Sequence, residues 1–131
     1  MNLESPKVSI NKSAQNTFDF LSEVKNFENL MPENISKFEV IDGETFLFAL
    51  KGMPEIILKK KKMEAPNKIV LGAAGGKIDF SLIANITETG ENNSEVQLNF
   101  DGEFNAMMAM MIKGPISKFI ETLVTNMPSA I

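Results

Sequence analysis

The sequence predicts an α+β domain in which a curved antiparallel sheet is covered by one long C-terminal helix. Three observations predict it. From Ile35 onward apolar residues recur at every second position, the period of a strand with one buried face. The runs are separated by turn signals such as Asp42-Gly43 and Gly90-Glu91-Asn92-Asn93. The longest apolar stretch, Phe104–Met127, closes the chain with helical spacing.

Taken in order, residues 3–11 form an extended segment in which Val8 and Ile10 alternate with Lys7, Ser9 and Asn11, with Pro6 at an edge or bend. Ser13 can cap a helix that runs to about Val24 and carries Phe18 and Leu21 on one side. A short second helix, Phe27–Met31, stops at Pro32, because the residue before a proline is pushed out of the helical region.

Six strands follow. Phe38 and Val40 lie in the first, and Phe46, Phe48 and Leu50 in the second, which Gly52 and Pro54 close. Ile56 and Leu58 lead into the lysine run of the third, and Ile69, Leu71 and Ala73 run to Gly75-Gly76 in the fourth. Ile78, Phe80, Leu82, Ala84 and Ile86 mark the fifth, and Val96, Leu98 and Phe100 the sixth. Such alternation gives the sheet one apolar and one polar face.

A continuous terminal helix would span roughly 36 Å. On a wheel of about 100° per residue, Phe104, Met108, Met111, Ile112, Pro115, Ile116, Phe119 and Leu123 form its apolar stripe, with Met110, Lys113, Ser117 and Glu121 on or near the opposite side. The order is β-αα-β6-α, and no repeat or linker divides it, so residues 1–131 are expected to be one domain.

Composition narrows the function. The chain contains no His, Cys, Trp, Tyr or Arg, and its net charge is −4. The usual general base, thiol nucleophile and soft metal ligands are therefore absent. All 13 basic residues are lysines, which with the acidic balance argues against a nucleic-acid partner. Lys113 and Gly114 interrupt the best candidate for a membrane span. The start, MNLESPKVSI, has no signal-peptide pattern, and a cytoplasmic location is the expectation. No cofactor, metal site or catalytic residue is expected.

The segment VSINKSAQNTFDFLSEVKNFENLMP resembles the opening of START-like, Bet v 1-type proteins (the SRPBCC superfamily, which includes polyketide cyclase and coenzyme Q-binding-like members). MEAPNKIVL resembles that family's turn between middle strands, and ITETGENNSEVQLNFDGEF its last hairpin before the closing helix. The resemblance covers essentially the whole chain in element order. It implies a helix-grip fold, with the sheet wrapped around the last helix and an apolar cavity between them. The chain departs from many members by carrying Asn29, Leu30 and Met31 where a tryptophan is often found, and it lacks the polar aromatic and Arg residues of the cyclase branches.

Several clusters invite a functional reading. Met107, Met108, Met110 and Met111 suit either ordinary core filling or adaptation to an irregular apolar guest. Gly114-Pro115 predicts a kink or restart, read first as curvature around the sheet and second as the hinge of a lid formed by residues 105–113. Lys59–Lys62 reads first as a solvated strand end. Ile56, Leu58, Lys60 and Lys62 nonetheless share a phase, which turns Lys60 toward the rim of the concave face. A phosphate-loop reading of Gly72–Lys77 fails, because Ile78 follows the lysine and a strand follows in place of a helix. The Asn85-Ile86-Thr87 triplet carries no weight without a secretory signal. Asp79, Asp101 and Glu103 fall in the outward phase, so an inward acid pair for catalysis is not supported.

The function expected from these features is binding of a hydrophobic small molecule, such as a lipid, isoprenoid or polyketide-like metabolite. The expected site lies between strand residues Phe46, Phe48, Leu58, Lys60, Leu71, Phe80, Leu82 and Phe100 and helix residues Met108, Met111 and Ile112. The alternatives are a protein-interaction module with a filled core, engaging a partner through Met107 and Met110, and a cyclase- or aromatase-type enzyme.

Overall fold

The computed structural model describes residues 1–53, 55–74 and 79–131. Expectations for Pro54, Gly75-Gly76, Lys77 and Ile78 lie outside the described residues. The N-terminal extended segment forms two strands, β1 (Asn2–Glu4) and β2 (Val8–Ile10), both paired with the last strand. The break falls at Pro6, which has no N–H to give. Buried Ser5 stitches it: its backbone N–H donates to Leu98 O at 2.8 Å, and its hydroxyl accepts from Leu98 N–H at 2.9 Å.

Helix α1 (Ala14–Ser22) starts where Ser13 Oγ accepts the Asn16 N–H at 3.1 Å. It buries Ala14, Thr17, Phe18 and Leu21. Thr17 and Ser94 share a buried hydroxyl hydrogen bond of 2.9 Å, and Ser94 also donates to Lys12 O. The second helix is a 3-10 helix, Val24–Leu30, and it buries Val24, Phe27 and Leu30. It starts three residues earlier than the sequence suggests and ends before Pro32.

The six further strands are β3 (Ile35–Asp42), β4 (Thr45–Leu50), β5 (Ile56–Glu64), β6 (Lys68–Ala73), β7 (Phe80–Gly90) and β8 (Asn93–Gly102). They pair antiparallel in the order β1-β8-β7-β6-β5-β4-β3, with β2 beside β1 along β8. The expected polar outer face fails at β4, where all six residues are buried, Leu47 and Ala49 included.

A bulge between Lys60 and Lys62 corrects the phase of the lysine run. Lys60 pairs with buried Leu71 and keeps the inward phase. Lys62 pairs with Val70 and turns outward, and Met63, opposite buried Ile69, takes up the inward phase but stays 37% exposed at the strand end.

Helix α2 (Ala106–Ala130) begins at Asn105, whose Oδ1 accepts the Met108 N–H at 2.8 Å. It runs through Gly114-Pro115 as one helix, so of the kink or restart expected there, the restart does not occur. Its buried residues are Ile116, Phe119, Ile120, Leu123, Val124 and Met127. Measured from the centre of that face, Met111 lies roughly 150° away at about 100° per residue. The sequence wheel places it inside the stripe; the structure leaves it 68% exposed. Pro115, also placed in the stripe, is exposed as well.

Candidate functional site

Eight phenylalanines build two stacked ladders on the inner face of the sheet. In one, Phe46 on β4 stacks on Phe27 of the 3-10 helix (5.1 Å between ring centroids) and on Phe38 (5.5 Å). It continues through Phe48 (6.1 Å) to Phe119 on α2, whose ring lies 4.8 Å from Phe48 and within 9° of parallel. In the other, Phe100 stacks on Phe80 (5.4 Å) and Phe104 (6.0 Å). Offset stacking of this kind adds to the burial of each ring.

Between the ladders lies a narrow recess lined by Phe48, Ile56, Leu58, Phe80, Leu82, Phe100, Ile116, Phe119 and Ile120. Every lining residue is apolar, and its free volume is only about 10 Å³, so side chains nearly fill it.

Five of the eleven residues expected at the site meet here: Phe48, Leu58, Phe80, Leu82 and Phe100. Phe46 is buried in the ladder under the 3-10 helix, and Leu71 is buried in β6 away from the recess. Lys60 is half-buried opposite Leu71. Ile112 packs against the core, Met108 is half-buried but not among the residues packed on the core, and Met111 is exposed. Met107 and Met110 are also turned outward, 73% and 84% exposed. Asp79, Asp101 and Glu103 are exposed, and no group of three metal-ligating side chains occurs among the described residues.

A second space was not legible in the sequence. An open groove of about 810 Å³ runs between the loop Met31–Asn34, the turn at Leu50, Lys51 and Met53, and one flank of α2. The α2 flank presents Gly114, Lys118, Thr122 and Asn126 at four-residue spacing, with Pro115 and Phe119 beside them.

The walls of the groove are tied to one another. The Lys51 N–H donates to Asn34 O at 2.9 Å, and the Met53 N–H closes the turn onto Leu50 O at 2.9 Å. Asn126 Nδ2 donates to Leu30 O at 3.0 Å, satisfying a carbonyl at the end of the 3-10 helix and fixing α2 against it.

Phe119 belongs to both spaces. Among the described residues it is the one common to the linings of the open groove and of the apolar recess.

No family model matches the sequence, and no curated protein matches it. Solved structures do. A protein from Thermus thermophilus superposes with a TM-score of 0.74 at 10% identity, covering 99% of this chain and 96% of that one. A norcoclaurine synthase point mutant from Thalictrum flavum, in complex with a transition-state analogue, gives 0.71 at 12% identity over 95% and 92% of the two chains. A START superfamily protein from Mycobacterium smegmatis gives 0.69 at 15% identity over 98% and 94%. Likeness at these identities is a likeness of fold. No helix among the described residues is long and apolar enough to cross a membrane. With its antiparallel sheet gripping the C-terminal helix, and with these structural neighbours, the chain has the START/Bet v 1-like helix-grip fold.

Proposed function

We propose that residues 1–131 act as one START-like domain that binds a hydrophobic small molecule between the sheet and α2. The observation that carries this reading is that Phe119 lines both the open groove and the apolar recess. The groove has the size of a small-molecule site, whose usual range is about 300–1,000 Å³. The recess offers an all-apolar lining but almost no free volume, so a guest enters it only as Phe119 and its neighbours give way. The driving force is removal of apolar surface from water, on the order of 25 cal/mol per Å².

One structural neighbour, a norcoclaurine synthase from Thalictrum flavum, is solved in complex with dopamine and hydroxybenzaldehyde, which supports small-molecule binding on this fold. Enzymatic chemistry is not part of the proposal, since no titratable side chain among the described residues lines the recess.

The test is binding of the uncharged probe N-phenyl-1-naphthylamine, together with native mass spectrometry of freshly purified protein for a retained hydrophobic mass. The absence of Trp and Tyr leaves the probe fluorescence free of protein background. The expected result is saturable binding that Ile120→Lys weakens more than Lys60→Ala does. A folded wild-type protein that takes up neither probe nor lipid would overturn the reading.

The second reading, a protein-interaction module, is favoured by the nearly filled recess and by the exposed Met107, Met110 and Met111. It takes first place if the probe test fails.

A further inference from the structure

The groove carries charge as well as apolar surface, and its charges are unevenly matched. Lys51 and Lys118 line it from opposite walls, one on the β4–β5 turn and one on α2, while Glu33 is its one lining acid among the described residues. Neither lysine takes part in an ion pair among the described residues; the pairs there are Lys37 with Glu39 and Glu55, and Lys62 with Glu64. Between the lysines, Met31, Leu50, Met53, Pro115 and Phe119 supply apolar surface. The groove therefore has an apolar floor that ends on the Phe119 ring and a net positive rim, in a chain whose net charge is −4. That local sign opposes the chain as a whole, so the background field does not account for it.

We propose that this groove selects the ligand: it binds an amphipathic anion, with the head group at Lys51 and Lys118 and the apolar body on Phe119 and the adjoining methionines. This rests on the hydrophobic-ligand reading above and adds the chemical class of the guest. Ammonium groups act as point charges with rotatable donors, so carboxylate and phosphate heads are equally suited, and no planar fork selects between them. The hydrogen bonds that join Lys51 to Asn34 and Asn126 to Leu30 hold the walls in place before a ligand arrives, which lowers the ordering cost of binding. The space beside Gly114 at the upper end of the α2 wall is open, since a Cβ there would meet nothing within 4 Å.

The experiment compares two naphthalene probes on the full chain at low salt, anionic 1-anilinonaphthalene-8-sulfonate and uncharged N-phenyl-1-naphthylamine. In Lys51→Gln/Lys118→Gln, two partly screened charge contacts are lost. Affinity for the anionic probe should fall roughly fivefold, and that for the neutral probe should change less than about twofold. Glu33→Gln should move the anionic probe the other way, by roughly twofold. Both effects should shrink as ionic strength rises. Dodecanoate and dodecyl phosphate should displace the anionic probe far better than dodecanol, and their relative strength separates a carboxylate ligand from a phosphate one. The inference is overturned if the lysine variant binds both probes like wild type, if it loses both equally, or if dodecanol competes as well as the anions. Neutral-probe binding without anionic-probe binding sinks the charge selection and leaves the hydrophobic site standing. Failure of both probes sinks the hydrophobic reading itself.

Discussion

Truncating Phe119 to alanine tests the packing argument at the point where fold and site meet. The ring is 4% exposed and lies almost parallel to Phe48 at 4.8 Å. Burying a side chain of this size contributes about 2–3 kcal/mol, and the stacked geometry about 0.5–1.5 kcal/mol more. The void left behind adds to the loss, because Phe48, Ile116 and Ile120 are held by their own neighbours and collapse only in part. The expected cost of Phe119→Ala is about 3–5 kcal/mol, a large share of the roughly 5–15 kcal/mol that stabilises a typical domain. Urea denaturation followed by far-UV circular dichroism measures it, since there is no Trp or Tyr for intrinsic fluorescence. With a slope of about 2 kcal/mol/M, the midpoint should drop by roughly 2 M. Met111→Ala on the same helix is the control: its side chain is 68% exposed, and it should stay within about 0.5 kcal/mol of wild type. A Phe119→Ala protein as stable as wild type, or a Met111→Ala protein as damaged as Phe119→Ala, would refute the assigned helical phase. The truncation also joins groove and recess, and apolar voids of this kind take apolar guests. A folded Phe119→Ala protein should therefore bind the neutral probe at least as tightly as wild type.

Two glycines should respond with opposite signs. A Cβ at Gly102 would sit 2.6 Å from Phe104 Cε2 and 2.9 Å from Phe80 Cβ, so Gly102→Ala should cost about 1–3 kcal/mol by forcing the Phe80–Phe100–Phe104 ladder apart. Gly114→Ala meets open space inside a helix and should stabilise by about 0.5–1 kcal/mol; thermal melts of both variants check the pair. At the β3–β4 hairpin, Asp42 accepts the Glu44 backbone N–H at 2.8 Å, and this bond, with the Thr45 side chain, holds its carboxyl below the ordinary range. A group depressed in this way contributes its stability fully above the ordinary carboxylate range and loses it as pH falls through its own lowered value. An NMR titration in which Asp42 behaves like a free aspartate would contradict the hairpin contact.

The strand phases are legible wherever apolar residues mark a face and are lost where none do. Phe46, Phe48, Leu82 and Phe100 announce their side by alternation, and the structure buries all four. Lys59–Lys62 offers no apolar residue to anchor a phase, so the bulge after Lys60 leaves no trace in the sequence and strict alternation puts Lys62 on the wrong face. In β4, Leu47 and Ala49 sit between Phe46, Phe48 and Leu50, and an apolar run of this kind is the sign of a strand covered on both sides. The terminal helix fails for the reverse reason. Between Ala106 and Ile116 nearly every side of the helix is apolar, so a wheel finds a stripe wherever it is centred, and Met111 is drawn into it. Ile120, Val124 and Met127, where polar neighbours do define a face, mark the true one. The groove joins three segments remote in sequence, and no local period can announce such a place.

Helix α2 is held in two different ways along its length, and the change falls at the candidate site. From Ile116 onward six residues are buried and Asn126 is bonded to the 3-10 helix, so that half is fixed by tertiary packing. From Ala106 to Pro115 no residue is fully buried; the support there is the Asn105 cap, the helix propensity of Ala and Met, and partial packing of Met108 and Ile112. Pro115 removes the hydrogen bond that would reach back to Met111, so the two halves are joined by one bond fewer than a regular helix supplies. Displacing the first half would cost local helix energy and half-buried contacts, whereas displacing the second would cost the core. Phe119 stands one turn beyond Pro115, on the firm side of that junction, and lines both groove and recess. Under the binding reading proposed above, the least costly route for a guest into the apolar interior runs past the loosely packed half of α2 and over Phe119, with the sheet and the second half of the helix left in place.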